Sequence, residues 1–402
     1  GRFPGIHEKS IEARSRINEC LIAEKVKRIA VLVSNDLNHD QRVLKTCHTL
    51  REAGWSAQLL GREMPDSKPL NVPVEGRRLR LPFHRGVGFY AALQWGLLRA
   101  LSGMDVQAIW ANDLDTLLPA FLVGRRKRIP VIYDSHEYFT EAAGLTGRPF
   151  QRGVWMLLER FLCPRIPAVI TVNEGMADAY AKRYPHAAGG RPRVVRNMPR
   201  KRTAPASATS DWRGELGIPE HAPFLILQGA YLDKDRGVVQ AVEALRAHPD
   251  WHLVVVGAGE EWDWAAAQVD GLGGRLCVLP KMPFEELVTL TASADVGLSL
   301  DQGVHGNYLM SLPNKLFDYI HAHIPVVASP MPEVARVVND WKIGCVVADS
   351  SPDGIGAAVR EVLAQPKADW KAACERASKA LHWGAEEPQI LEALDRALSE
   401  GK

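Results

Sequence analysis

The chain has 402 residues, 46% of them hydrophobic and 24% charged, with a formal net charge of +2. This length is more than one ordinary core holds and predicts two domains, while the composition excludes a disordered or fibrous chain. Six scattered cysteines (Cys20, Cys47, Cys163, Cys277, Cys345, Cys374) with no Cys-x-x-Cys pair argue against a disulfide scaffold or zinc module and for a reducing, cytoplasmic setting.

The small net charge conceals an asymmetry. Residues 1–210 hold 33 Lys and Arg against 19 Asp and Glu, about +14, and residues 211–402 hold 16 against 28, about −12. A basic first half implies an anionic partner on that side, either a membrane surface or a phosphate-bearing acceptor. No aromatic-plus-basic recognition motif is present, so nucleic acid is not expected. No apolar run reaches membrane-spanning length and no secretory leader is read. The opening Gly-Arg-Phe-Pro-Gly lacks a methionine and reads as a trimmed or scarred start.

In chain order, residues 1–27 read as a polar N-terminal helical extension. Arg28 to Ser34 is a first buried strand, ending in Asn35, Asp36, Asn38, Asp40 and Arg42 before a helix that stops at Gly54. Polar side chains where a strand hands over to a helix line the ligand crevice of an open α/β sheet. Asp36 and Arg42 are therefore candidates, whereas Asp40 is expected to cap the helix. The absence of Gly-x-Gly-x-x-Gly there argues against a dinucleotide fold.

Strands are expected at 56–60 and 79–81, then an amphipathic helix from Gly86 to Ser102. A strand over 107–111 carries Asp113 at its end. The strand 130–133 delivers Asp134, His136 and Glu137, three ionisable groups within four positions. His136 could orient or polarise a hydroxyl, since imidazole titrates near neutrality, but no neighbour supplies the rest of a zinc ligand set. The helix from Arg152 to Arg165 mixes arginines with Trp155 and Phe161, as interfacial helices do, although its apolar face is expected mostly in the core. Strands at 168–172 and 193–195 complete a largely parallel sheet.

The stretch 199–210 reads as a linker. A second strand series follows at 224–228, 253–256, 276–279, 296–300, 325–328 and 345–347, with helices between. Gly229 and Gly257 close two of these strands and permit close backbone approach, and Arg236 stands at a helix start. Met282 follows the third strand, where exposed backbone could read a base edge. Ser311 to Ser329 then reads as a loop, a helix from Asn314, a turn at His323 and a buried strand. A helix start aims free N–H groups and positive dipole charge at an anion. Asn314 and Lys315 add donors and a charge, and Asp318, one turn on, could accept from sugar hydroxyls. This reads as a diphosphate-and-ribose site.

These motifs resemble one family, the GT-B glycosyltransferases of family four. The likeness spans roughly residues 28 to 400 and rests on Asn35 to Arg42, Tyr133 to Glu137, Arg236-Gly237, Lys281 to Pro283, and above all Ser311-Leu-Pro-Asn-Lys-Leu-Phe-Asp-Tyr319. It implies two Rossmann-like doubly wound domains: an acceptor domain over 28–205, a donor domain over 206–380, and a terminal helix over 381–402 that crosses back to the first domain. It implies a retaining transferase, with a nucleotide-sugar co-substrate, UDP-linked by our reading, and no metal. His136, Arg236 and Lys315 would be catalytic. Gly229, Gly257, Met282, Asn307, Tyr308, Asn314 and Asp318 would join Arg236 and Lys315 around the donor. Asp36, Arg42, Asp113, Asp134 and Glu137 would face a glycan or lipid-linked acceptor, and the basic half would meet the anionic inner membrane face peripherally.

Three positions depart from the family pattern. Of two glutamates expected eight positions apart, the first is Met310 and the second Asp318. Ala230 stands where a basic residue is common. Two other readings stay open: a nucleotide-sugar epimerase of the same fold, and a non-catalytic sugar-nucleotide or glycan-binding protein.

Overall fold

Each apolar run is a strand, because a short stretch of Val, Ile and Leu buried on both faces suits a parallel sheet covered by helices. The computed structural model describes residues 26–38, 40–145, 147–201, 211–303 and 309–400. Residues 1–25 of the expected N-terminal extension, most of the linker, and Asn307 and Tyr308 lie outside the described residues, and Lys27 belongs to the first strand instead.

The strands form two sheets of order β3-β2-β1-β4-β5-β6-β7 and β10-β9-β8-β11-β12-β13. The chain also divides into two compact units, one running to Asp134 and resuming at Leu394, the other Ser135–Ala393.

The first unit holds β1 (Lys27–Leu32), α1 (Gln41–Glu52), β2 (Trp55–Arg62), β3 (Glu75–Leu79), α2 (Gly86–Gly103), β4 (Ala108–Asn112), α3 (Leu114–Lys127) and nearly all of β5 (Val131–Ser135). β1 pairs in parallel with β2 on one side and β4 on the other. As expected, Asp40 caps α1, its carboxylate accepting from the Val43 N–H at 3.1 Å. The third strand lies earlier than the apolar pair at 79–81 suggests, because β3 is an edge strand whose alternate residues are exposed.

The second unit continues with α4 (Pro149–Leu162), β6 (Ala168–Thr171), α5 (Glu174–Arg183) and β7 (Arg193–Val194). The second series follows: α6 (Trp212–Glu215), β8 (Phe224–Gly229), α7 (Val238–Ala247), β9 (His252–Gly257), α8 (Glu260–Ala266), β10 (Leu276–Pro280), α9 (Phe284–Ser293), β11 (Val296–Ser299), α10 (Asn314–Ala322), β12 (Val326–Ala328), α11 (Pro332–Trp341) and β13 (Gly344–Val346). Then come α12 (Pro352–Ala364), α13 (Lys367–Ser378) and α14 (Trp383–Glu400), whose residues from Leu394 onward belong to the first unit. Alternation along β8 and β9 builds a core on each side of the sheet. Leu225, Leu227 and Val255 enter one, and Phe224, Ile226 and Val254 enter the other. A fully buried side chain of this size contributes about 1.5–3 kcal/mol.

α14 falls within the expected 381–402, and its first turn docks on residues 196–199. The Trp383 N–H donates to the Pro199 carbonyl at 2.7 Å. The Arg196 guanidinium donates to Glu386 at 2.6 and 2.9 Å, and the Arg196 N–H donates to the same carboxylate at 3.0 Å. Glu386 is buried.

Candidate active site

In the second sheet, β8 and β11 are neighbours, and the chain leaves them in opposite directions, to β9 and β12. Ligands of open α/β sheets bind beyond the carboxyl ends of such a strand pair. Beyond β8 lies the turn that carries Arg236. Beyond β11 lies Asp301, and α10 brings Lys315.

These three side chains meet. Arg236 Nη1 donates to Asp301 Oδ1 at 3.1 Å, and Lys315 Nζ lies 3.1 Å from Asp301 Oδ2. Asp301 and Lys315 are buried, at 3% and 7% exposure, so these charges interact with little screening. Burial alone would raise the Asp301 pKa. The Lys315 and Arg236 charges outweigh it and hold the carboxyl below the ordinary aspartate value.

The backbone around Asp301 is fixed as well. Its carbonyl accepts from Ser329 Oγ at 2.6 Å, and the Gln302 N–H donates to the Asp235 carbonyl at 2.8 Å. Gly237, at φ +81°, lets the turn after β8 press onto this segment, since a Cβ there would fall 2.3 Å from the Leu300 carbonyl oxygen.

Two helix starts lie beside the cluster, and they differ. The start of α7 is occupied from within: the buried Glu261 carboxylate accepts from the Asp235 N–H at 3.0 Å and the Val238 N–H at 3.1 Å. Desolvation raises the Glu261 pKa, and these N–H groups restrain the rise. The start of α10 has Pro313 at its cap and no side-chain capping bond. Asn314 there is exposed, its Oδ1 3.2 Å from Asn197 Nδ2.

Asp318 is half-buried and accepts from Gln228 Nε2 at 3.3 Å, while Gln228 Oε1 accepts from Thr291 Oγ1 at 2.7 Å. Gly229 ends β8 and Gly257 ends β9. The room that Gly257 leaves is taken by the Gly229 carbonyl, 2.1 Å from where a Cβ would stand. Met282 packs half-buried against the core, and its neighbour Lys281 places Nζ 3.7 Å from the centre of the Tyr231 ring. The Met310 carbonyl accepts from Asn173 Nδ2, and Asn173 Oδ1 caps α5 at the Met176 N–H, 2.8 Å away.

The carboxyl end of the first sheet is built differently. Asp134 and Arg42 form a buried two-point ion pair, with Nη2 to Oδ1 at 2.7 Å and Nε to Oδ2 at 3.3 Å, and Trp110 Nε1 adds a contact at 3.4 Å. Asp36 accepts from the Asn38 N–H and Arg78 Nη2, each at 2.9 Å, and from Ser67 Oγ. Burial pushes its pKa up, but these donors and the Arg78 charge bring it below the ordinary value. Asp113 sits at φ +60°, ψ 164°, a conformation that costs about 1–3 kcal/mol away from glycine and gathers at functional sites. In the second unit, His136 and Glu137 are half-buried just beyond β5, with the Glu137 carbonyl accepting from Ser135 Oγ at 2.9 Å.

Comparison with known proteins agrees with this architecture. Residues 39–198 match the glycosyl transferase 4-like domain, and residues 232–365 match the glycosyl transferases group 1 domain. The chain belongs to the GT-B glycosyltransferases. Sucrose-phosphate synthase from Thermosynechococcus elongatus superposes on this glycosyltransferase with a TM-score of 0.74 at 17% identity, covering 94% of this chain and all of the other. Anabaena Alr3699/HepE, solved with UDP, gives 0.68 at 15% identity, over 92% and 99% of the two chains. WaaG, a glycosyltransferase involved in lipopolysaccharide biosynthesis, gives 0.65 at 16% identity, over 90% and 98%. No curated protein matches the sequence.

The sequence reading missed Asp301 and Gln228, which hold the cations and Asp318. Asp301 directly follows the strand expected at 296–300, as Asp36 and Asp113 nearly follow theirs, and that position was the available signal.

Proposed function

We propose that this glycosyltransferase moves a sugar, with retention of anomeric configuration, from a UDP-sugar to a glycan or lipid-linked acceptor in cell-surface polysaccharide or glycolipid synthesis. The observation that carries the reading is the convergence of Arg236 and Lys315 on the one carboxylate of Asp301, next to the uncapped start of α10. A diphosphate is an anion that such cations attract, and cations so placed stabilise the negative charge that grows on a departing nucleoside diphosphate. Asp318 suits the ribose hydroxyls, and His136 is assigned to the transferred sugar. Asn314, Gly229, Gly257 and Met282 complete the donor surroundings. Asp113 and Glu137 are the acceptor-side candidates with polar groups nearest the surface. Asp36, Arg42 and Asp134 support that side from beneath.

In this mechanism the leaving phosphate takes the acceptor proton on the same face from which the sugar departs, and the cations do the work that a metal does elsewhere. The protein would act in the cytoplasm at the inner membrane face; among the described residues no helix is long and apolar enough to cross a membrane.

The test is a thermal-shift panel of UDP-, GDP-, ADP-, CDP- and dTDP-sugars. A ligand at 100 times its dissociation constant adds about 2.7 kcal/mol, which resolves the base. NMR of the glycosylated product then reads the anomeric configuration, and an inverted product rejects retention. Conversion of donor without any acceptor would indicate an epimerase, and binding without turnover a sugar-nucleotide-binding protein.

A further inference from the structure

Helix α4 carries large apolar side chains on two faces. Trp155, Glu159 and Leu162 face the interior, all buried. The expectation that the apolar face lies mostly in the core holds for that side alone. Phe150, Val154, Leu157 and Phe161, spaced by four, three and four residues, form a second stripe, exposed at 79%, 44%, 70% and 47%. Large side chains gathered on one helix face, and this open to water, mark an interaction surface.

Along residues 148–165 the exposed charged side chains are all arginines. Glu159 is buried and engaged by Arg183 at 2.9 Å, and Glu141 is engaged by Arg152. Arg148, Arg160 and Arg165 are exposed. The Arg165 guanidinium lies 4.3 Å from the centre of the Phe161 ring, which brings its charge against the apolar stripe. Beside the stripe, a cavity of about 760 Å³ opens between Met156, Leu157, Arg160, Tyr184 and His186.

We propose that this face of α4 seats on an anionic lipid bilayer, with the helix lying in the plane of the surface. The stripe enters the boundary between headgroups and acyl chains, and the three arginines meet lipid phosphates. A second copy of the chain fits poorly, because a two-fold contact would set this basic collar against itself. The proposal gives a surface to the membrane contact of the proposed function and rests on that reading for its purpose. Vesicle binding needs neither donor nor acceptor, so either idea can fail alone.

The test is sedimentation of the full chain with phosphatidylcholine vesicles, with and without phosphatidylglycerol, at low and high salt. The wild type should pellet with the anionic vesicles at low salt and release at high salt. Phe150→Ser with Leu157→Ser, and separately Arg148→Glu with Arg160→Glu, should each weaken binding by about tenfold or more. All four positions are exposed, so the melting temperature and the UDP shift should stay unchanged. Absence of wild-type binding, or equal binding by both variants, overturns the proposal. So does a wild-type dimer that the Leu157 variant turns into a monomer, which would assign the stripe to a second copy.

Discussion

The two sheets handle charge differently at their carboxyl ends. In the first, Arg42 serves Asp134 and Arg78 serves Asp36, one guanidinium to each carboxylate. In the second, Arg236 and Lys315 share Asp301. A buried one-to-one pair is a scaffold that holds loops in register. Two cations on a single carboxylate make a region that gains from a further anion. The ratio alone does not mark a site, since Arg213 and Lys367 also share Asp295; at Asp301 it acts together with the helix start that carries Lys315.

The sharpest way to break the comparison is to remove one member of each cluster. Asp134→Ala leaves Arg42 buried without its carboxylate and should cost about 3–5 kcal/mol in urea unfolding. Lys315→Ala leaves the Arg236–Asp301 pair intact, so stability should change little. Turnover should still fall by about 100-fold or more, as when one donor to a developing negative charge is removed. If Lys315→Ala unfolds the protein as readily as Asp134→Ala does, the two regions are alike and the comparison fails.

A smaller effect depends on pH. The Asp301 pKa is lowered in the fold. Its contribution is therefore complete above the unfolded-state value of about 3.9 and disappears as pH falls through the folded value. The stability gap between wild type and Asp301→Asn should be constant near neutrality and close in strong acid. A gap that widens toward low pH would mean the cations do not hold this carboxyl. The smallest expected effect is at Asp318. Asp318→Asn should raise the donor KM by about tenfold, the loss of one charged hydrogen bond, with kcat nearly unchanged.

Much of the fold was legible because a parallel strand buried on both faces leaves a short apolar run that needs no partner to be recognised. The helix at Asn314 was legible for the same kind of reason: Pro313 and the turn at His323, which sits at φ +60°, punctuate it locally. What was hidden is what the chain assembles from a distance. Arg42 and Asp134 are 92 residues apart and Arg236 and Asp301 are 65 apart, so no local spacing joins them. Asp134 read as an open acid because nothing near it in sequence announces its guanidinium. The outward stripe of α4 was hidden differently: periodicity shows that the helix has apolar sides, and only packing decides which of them is covered.

The bond between Arg196 and Glu386 joins positions 190 residues apart. During synthesis, Arg196 leaves the ribosome long before its partner exists. Contacts of such separation form late, after the local elements have settled. Release of a chain cut short before Trp383 would leave this seam open, with Pro199 and Arg196 facing water. Protease resistance of this region should therefore appear only in chains that include α14.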